Sequence, residues 1–280
     1  MMKEDSKERV KKLADKLEQG VDEMFSSERY QQYLNTVSKF HNYSFNNCML
    51  ILMQRPGATQ VAGYKTWQSL GRQVKKGEKS IQIFAPIQHK FKQHVIKDDG
   101  TEEDLEKFYN TYRTVPVFDI SQTEGTELPQ IAVEMKGDVA GYDEILEKIS
   151  KAATVPVEIG KISTDALGYY SKSENRIVVK SGMSQAQTIK TTVHEVAHSI
   201  MHCENGSERN ADRKTKEVEA ESVAYIVCNA IGLDTSEYSF GYIADWSSNR
   251  EKKELVSSME AIRKTADYIP HRIESNTKVA

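Results

Sequence analysis

The chain has 280 residues, 38% hydrophobic and 28% charged, with a formal net charge of −3. That length allows one large core but favours two domains of ordinary size, and the balanced charge does not demand a nucleic-acid partner for the chain as a whole. No apolar run reaches membrane length, the start Met-Met-Lys-Glu-Asp-Ser-Lys-Glu-Arg is charged, and Cys48, Cys203 and Cys228 lack zinc-ribbon spacing, so a cytoplasmic protein is expected, with no membrane partner.

Residues 5–24 read as a charged amphipathic helix, and 27–40 as a second with Tyr30, Tyr33, Leu34, Val37 and Phe40 on its apolar side. After the break at 41–47, Cys48 to Met53 reads as a buried helix ended by Pro56-Gly57. A short helix is expected around Tyr64 to Trp67. A tight turn at Val74-Lys-Lys-Gly-Glu-Lys79 then feeds a strand at Ser80–Phe84. Asp98 to Glu106 reads as a loop or mobile hairpin, and Tyr112 to Ile120 as a strand. Residues rich in Gly, Thr, Glu and Pro follow. We therefore expect a first domain over 1–125, a linker over 126–140 and a second domain over 141–280.

The first half is locally basic. Lys65, Arg72, Lys75, Lys76, Lys79, Lys90, Lys92 and Lys97 are opposed only by Glu78, and Tyr43, Phe45, Tyr64 and Trp67 lie nearby in sequence. Cations that track phosphates and rings that stack bases are what single-stranded DNA needs, which makes Tyr43, Trp67, Arg72, Lys75, Lys76 and Lys79 candidate contacts. Basic turns are also common solvated surface, and a Trp is often core.

In the second half a helix reaches about Lys151, and a strand at Arg176–Lys180 leads to a helix whose start, Ser184 with Gln187, fits a capping box. That helix carries His194-Glu195-Val196-Ala197-His198, an H-E-x-x-H motif. At this composition an accidental match is expected roughly 0.025 times per chain. Histidines four apart share one helical face and can reach one ion, and Glu195 between them can take the proton of a water that the ion polarises. A catalytic zinc site has three protein ligands. The third is sought on the next expected helix, roughly 209–231, where Glu217 and Glu221 share a face and Glu219 points away. The residues alone do not choose between the first two. His202 lies about 12 Å along the axis from His194 and cannot share the ion, so it is expected behind the ligands or at the rim. A closing helix is expected over about 250–268.

Two resemblances follow from these residues. Asn42-Tyr43-Ser44 with Asn46-Asn47, Trp67 before Gly71, the Val74–Lys79 turn and Val117-Phe-Asp-Ile-Ser-Gln-Thr123 resemble the N-terminal domain of ArdC-type antirestriction proteins and the related LtrC-like proteins of conjugative elements. His194–His198 with Glu217-x-x-Ala220-Glu221 resembles the ImmA/IrrE-like zincin metallopeptidase domain. Together the resemblances imply an α+β chain with a DNA-binding first domain and a gluzincin-like second one, acting on a protein or peptide. They imply Zn²⁺ on His194, His198 and Glu217, Glu195 as general base, and Glu221 behind a ligand histidine. Tyr169, Tyr170 or His202 would stabilise an oxyanion. The alternative is a DNA-protection protein whose metal site is structural or vestigial.

Overall fold

The computed structural model describes residues 2–40, 42–96, 102–126, 139, 141–203, 211–233, 240, 243–248 and 250–275. In chain order these form α1 (Met2–Met24), α2 (Ser27–Lys39), α3 (Phe45–Gln54), β1 (Val61–Ala62), α4 (Tyr64–Ser69), β2 (Arg72–Val74), β3 (Ile81–Ile96) and β4 (Glu102–Asp119). After a 3-10 turn at Ile120–Gln122 come β5 (Thr123–Gly125), α5 (Tyr142–Ala152), β6 (Val157–Gly160), β7 (Gly168–Ser171), β8 (Arg176–Lys180), α6 (Gln185–Met201), α7 (Arg213–Ala230), α8 (Ile243–Ser247) and α9 (Lys252–Ser275). The class is α+β. No helix among the described residues is long and apolar enough to cross a membrane.

Two compact units result, each discontinuous in sequence: Met1–Val21 with Met49–Thr126, and Asp22–Cys48 with Glu127–Ala280. The expected division by a single cut had assigned everything up to residue 125 to the first domain; most of the expected linker, 127–138 and 140, lies outside the described residues. The segment Asp22–Cys48 belongs with the second unit because α2 packs on α7. Tyr30, Tyr33, Leu34 and Val37 are fully buried there. Polar ties add direction: the Tyr30 and Ser222 hydroxyls lie 2.8 Å apart, and Tyr225 Oη donates to Asn35 Oδ1 at 2.7 Å. Spacing of the apolar residues showed the helix but not its partner, which is a tertiary choice.

In the first unit, β1, β4 and β3 form an antiparallel sheet in that order, and β2 pairs with β5. The β3–β4 register runs from Ile81↔Val117 to Ile96↔Glu102, so both strands are far longer than the expected Ser80–Phe84 and Tyr112–Ile120. Part of the expected 98–106 loop is strand, since β4 begins at Glu102; 97–101 lie outside the described residues. Among the described side chains of this hairpin, those at its base enter the core, through Ile81, Ile83 and Val117. Beyond it Ile87, Phe91, Phe108 and Tyr109 are exposed, and polar residues interleave too irregularly to announce a strand.

The base is closed by the Val117–Thr123 motif. The Asp119 carboxylate is buried and accepts from the backbone N–H groups of Thr59 (2.8 Å), Gln60 (3.2 Å) and Ser121 (3.0 Å). Gln122 accepts from Asp119 N at 2.9 Å and donates to Glu78 Oε2 and to the Lys79 carbonyl. These bonds to the charged form outweigh the opposing effect of burial and hold the Asp119 carboxyl below its ordinary range. The motif therefore ties three chain segments together by satisfying backbone donors that burial would otherwise strand.

In the second unit, β8 is central, parallel to β6 and antiparallel to β7. Its Ile177, Val178 and Val179 are buried on both faces of the sheet, against which α6 packs. β6 and the short α8 were not anticipated; four and five residues of mixed character carry little periodic signal. α6 buries Ile189, Val193, Val196 and Ala197, and α7 answers with Val218, Ala220, Val223, Ala224 and Val227.

Candidate metal centre

Two helices present the site, and both are capped by side chains. Ser184 Oγ accepts from Gln187 N at 3.3 Å at the start of α6, and Asp212 Oδ1 accepts from Thr215 N at 2.7 Å at the start of α7. Those backbone and hydroxyl bonds from Thr215, with Arg250 beside it, pull the Asp212 carboxyl down to about 2. The paired apolar stripes bring the polar edges of α6 and α7 together.

At that edge His194 Nε2 and His198 Nε2 lie 3.1 Å apart. Glu217 Oε2 lies 3.5 Å from the first and 3.7 Å from the second. A tetrahedral zinc ion with bonds of about 2.0–2.1 Å needs ligand atoms about 3.4 Å apart. The three separations bracket that value. Among the described residues this is the group of His, Cys, Asp and Glu side chains with metal-ligand spacing. Two imidazoles and one carboxylate form a donor set that suits zinc and neighbouring divalent transition metals.

The electrostatics fit a cation. Hydrogen bonds to the two histidines hold the Glu217 carboxyl far below its usual range. Burial opposes charge on His194, yet Glu217 and Glu221, with Glu195 behind them, override it and raise its pKa to about 9. Three carboxylates around two imidazoles make a site poised to hold positive charge, whether proton or metal ion.

Glu221 Oε2 lies 3.2 Å from His194 Nδ1, the ring nitrogen facing away from Glu217, and its Oε1 lies 3.2 Å from Lys190 Nζ. His198 Nδ1 meets His202 Nδ1 at 2.9 Å, and His202 Nε2 meets Glu219 Oε2 at 2.9 Å. Lys190 was not singled out from the sequence, and Glu219 was named there only as pointing away from the ligand face. For Glu219 a signal existed: a charged residue between Val218 and Ala220 on a buried helix needs a partner.

Glu195 is buried beside the side chains of His194, His198 and Glu217. Burial raises its pKa, the two histidines lower it, and the backbone N–H of Tyr170 donates to its carboxyl. Gly168 makes this approach possible: a Cβ there would stand 2.7 Å from Thr191 Cγ2 and 3.1 Å from Glu195 Cγ. A cleft of about 540 Å³ opens at His194, Arg213, Lys214, Glu217 and Glu221, and a second of about 320 Å³ is lined by Gly168, Lys190, His194 and Glu195. Tyr169 is exposed on β7, at the edge of the sheet.

The candidate DNA contacts are not brought together in the same way. Trp67 is a correction: its ring is 2% exposed and its Nε1 donates to the Phe118 carbonyl at 2.9 Å, so it offers no face to a base. Arg72 is tied to β5 through Thr123, and Lys75 Nζ donates to the Ser121 carbonyl at 3.0 Å. Tyr43 is half-buried against Phe40 and lies in the segment of the second unit. Lys76 and Lys79 are exposed and line a cleft of about 760 Å³ with Lys16 and Arg55.

Residues 3–118 match the family described as the N-terminal domain of anti-restriction factor ArdC. An uncharacterised protein of Bacillus anthracis, pXO2-81, is 29% identical over 97% of this chain and 52% of its own length, so the chain spans about half of that relative. The metal-free crystal structure of the antirestriction protein ArdC from plasmid R388 aligns with a TM-score of 0.51 at 21% identity, covering 82% of this chain and 85% of that one. A Mn(II)-bound structure of the same R388 protein aligns at 20% identity with a TM-score of 0.49, covering 81% and 84%. Residues 3–118 thus match the ArdC N-terminal domain family, and the chain shares its fold with the R388 protein.

Proposed function

We propose that this chain is a metal-dependent peptidase of a mobile element, coupled to a unit that binds single-stranded DNA. One observation carries the reading: three ligand atoms of His194, His198 and Glu217 stand at near-tetrahedral edge lengths beside a buried glutamate and an open cleft. When bound, Zn²⁺ supplies Lewis acidity toward a water and a peptide carbonyl. His194, His198 and Glu217 hold the ion; Glu221 orients His194 from behind. Glu195, its proton affinity raised by burial, accepts a proton from the attacking water and returns it to the leaving amine. Tyr170 N–H keeps the Glu195 carboxyl aimed while it does so. The edge strand β7 offers backbone groups along which an extended peptide could pair, with Tyr169 and Tyr170 as the candidate oxyanion partners; His202 has both ring nitrogens engaged, by His198 and Glu219, and is not one.

The DNA reading is supported by the ArdC family match and by the cluster Lys16, Arg55, Lys76 and Lys79. It also supports a second function, protection of transferred DNA from restriction with the metal site serving structure alone. The two readings part on one substitution. Glu195→Gln retains the metal and abolishes cleavage of an unfolded test protein if the site is a peptidase. If no preparation of the unaltered, zinc-loaded chain cleaves protein or itself, the protection reading stands instead.

A further inference from the structure

The two histidines of the centre are supported from behind in different ways. His194 has a carboxylate directly at Nδ1, through Glu221 at 3.2 Å. Among the described residues His198 has no carboxylate at its Nδ1; the partner there is the ring of His202 at 2.9 Å, and the carboxylate, Glu219, stands one imidazole further back, 2.9 Å from His202 Nε2. Ring planes tilt 54° between His198 and His202, with centroids 5.1 Å apart, so the contact is edge to edge through nitrogen and is not a stack. The chain of groups is closed to solvent: side-chain exposure falls from 15% at His198 to 4% at His202 and 0% at Glu219.

Hydrogen accounting then assigns the protons. A carboxylate buried this completely persists as an anion only with a donor, so the His202 Nε2 that faces it carries hydrogen. Two ring nitrogens at 2.9 Å cannot both carry hydrogen, and one must donate. His198 directs Nε2 toward His194 and Glu217, where a ligand atom needs a free lone pair, which leaves its hydrogen on Nδ1. His202 Nδ1 is thus the acceptor. We propose that Glu219 and His202 form a two-residue positioning relay that fixes the tautomer and orientation of His198, so that its Nε2 lone pair is presented to the metal. Glu219 serves the centre from the helix face opposite Glu217 and Glu221, reaching it through a ring and not by coordination.

This inference rests on the metal reading, and its tests separate the two. The full chain, labelled with 15N at histidine, reports tautomers by NMR without any substitution or metal. The relay requires hydrogen on Nε2 and a bare Nδ1 at His202, and hydrogen on Nδ1 at His198. Hydrogen on Nδ1 of His202, whether alone or on a doubly protonated ring, overturns it. Zinc affinity by chelator competition gives the second arm: His202→Ala and Glu219→Gln should weaken binding by about 10- to 100-fold. His202→Gln, which keeps an acceptor toward His198 and a donor toward Glu219, should recover most of the loss. Affinities within about twofold of the unaltered chain, in variants whose circular dichroism is native, also overturn the relay. If the alanine variant does not fold, the tautomer result on the unaltered chain decides alone. Failure of the unaltered chain to take up zinc at all instead overturns the function proposed above.

Discussion

The closure around Asp119 and the centre around His194 use the same kind of chemistry for opposite ends. Around Asp119 each carboxylate oxygen accepts from backbone or hydroxyl groups, and Gln122 bonds at both ends of its amide. Its capacity is consumed internally, and it holds β1, β4 and the Val74–Lys79 turn in one arrangement. Around His194 the outer nitrogens and carboxylates are likewise consumed, by Glu221, His202 and Glu219. The inner atoms, His194 Nε2, His198 Nε2 and Glu217 Oε2, converge on one point beside a cleft. A buried polar cluster becomes a binding site when its remaining valences point inward to shared space.

The largest effect expected from breaking this contrast lies on the structural side. Asp119→Ala leaves the N–H groups of Thr59, Gln60 and Ser121 without their acceptor, at about 1–3 kcal/mol for each that water does not reach. We expect the first unit to lose about 3 kcal/mol in denaturant unfolding while zinc affinity stays within about twofold. A shared loss of both would mean that the two regions are not separate in function.

Next in size is the centre itself. His198→Ala should weaken zinc binding by more than the roughly 100-fold ceiling for outer partners, because it removes a ligand atom. Equilibrium dialysis with zinc measures it. Gly168→Ala should act on chemistry and spare the metal: its Cβ displaces Thr191 and Glu195, and a shift of about 1 Å costs on the order of 100-fold in turnover.

These expectations show what was legible beforehand. His194, Glu195 and His198 declare themselves because a helix converts a spacing of four into a shared face. Glu217 over Glu221 needed a family resemblance, since both lie on one face and only tertiary packing decides which reaches the inner nitrogens. The roles of Lys190 and Glu219 depend on how α6 and α7 cross, which no local pattern encodes. Trp67 was misread because a ring near lysines in sequence says nothing about its burial. The arm of β3 and β4 was shortened for a similar reason: its pairing continues past the core, where alternation no longer has an interior to report.

Smaller effects sharpen the contrast through pH. The pKa of His194, raised to about 9, means that in the metal-free chain this ring carries a proton that zinc must displace. Apparent zinc affinity should therefore rise about tenfold per pH unit from pH 7 to pH 9 and level off above, with proton release seen in calorimetry. Glu217, held ionised, adds no proton to that count. As a stability term the raised His194 pKa has the opposite sign: it favours the metal-free fold below about pH 6.5 and its contribution is lost as pH rises through about 9. Asp212→Ala, which uncaps the helix bearing Glu217, should cost about 1 kcal/mol in thermal unfolding.

The central claim is that His194, His198 and Glu217 converge to hold one divalent ion. Native mass spectrometry of the full chain after zinc loading and desalting tests it most directly. The account predicts one zinc per chain in the unaltered protein and none in His198→Ala. A chain that retains no zinc, or a variant that retains the same amount, would contradict it.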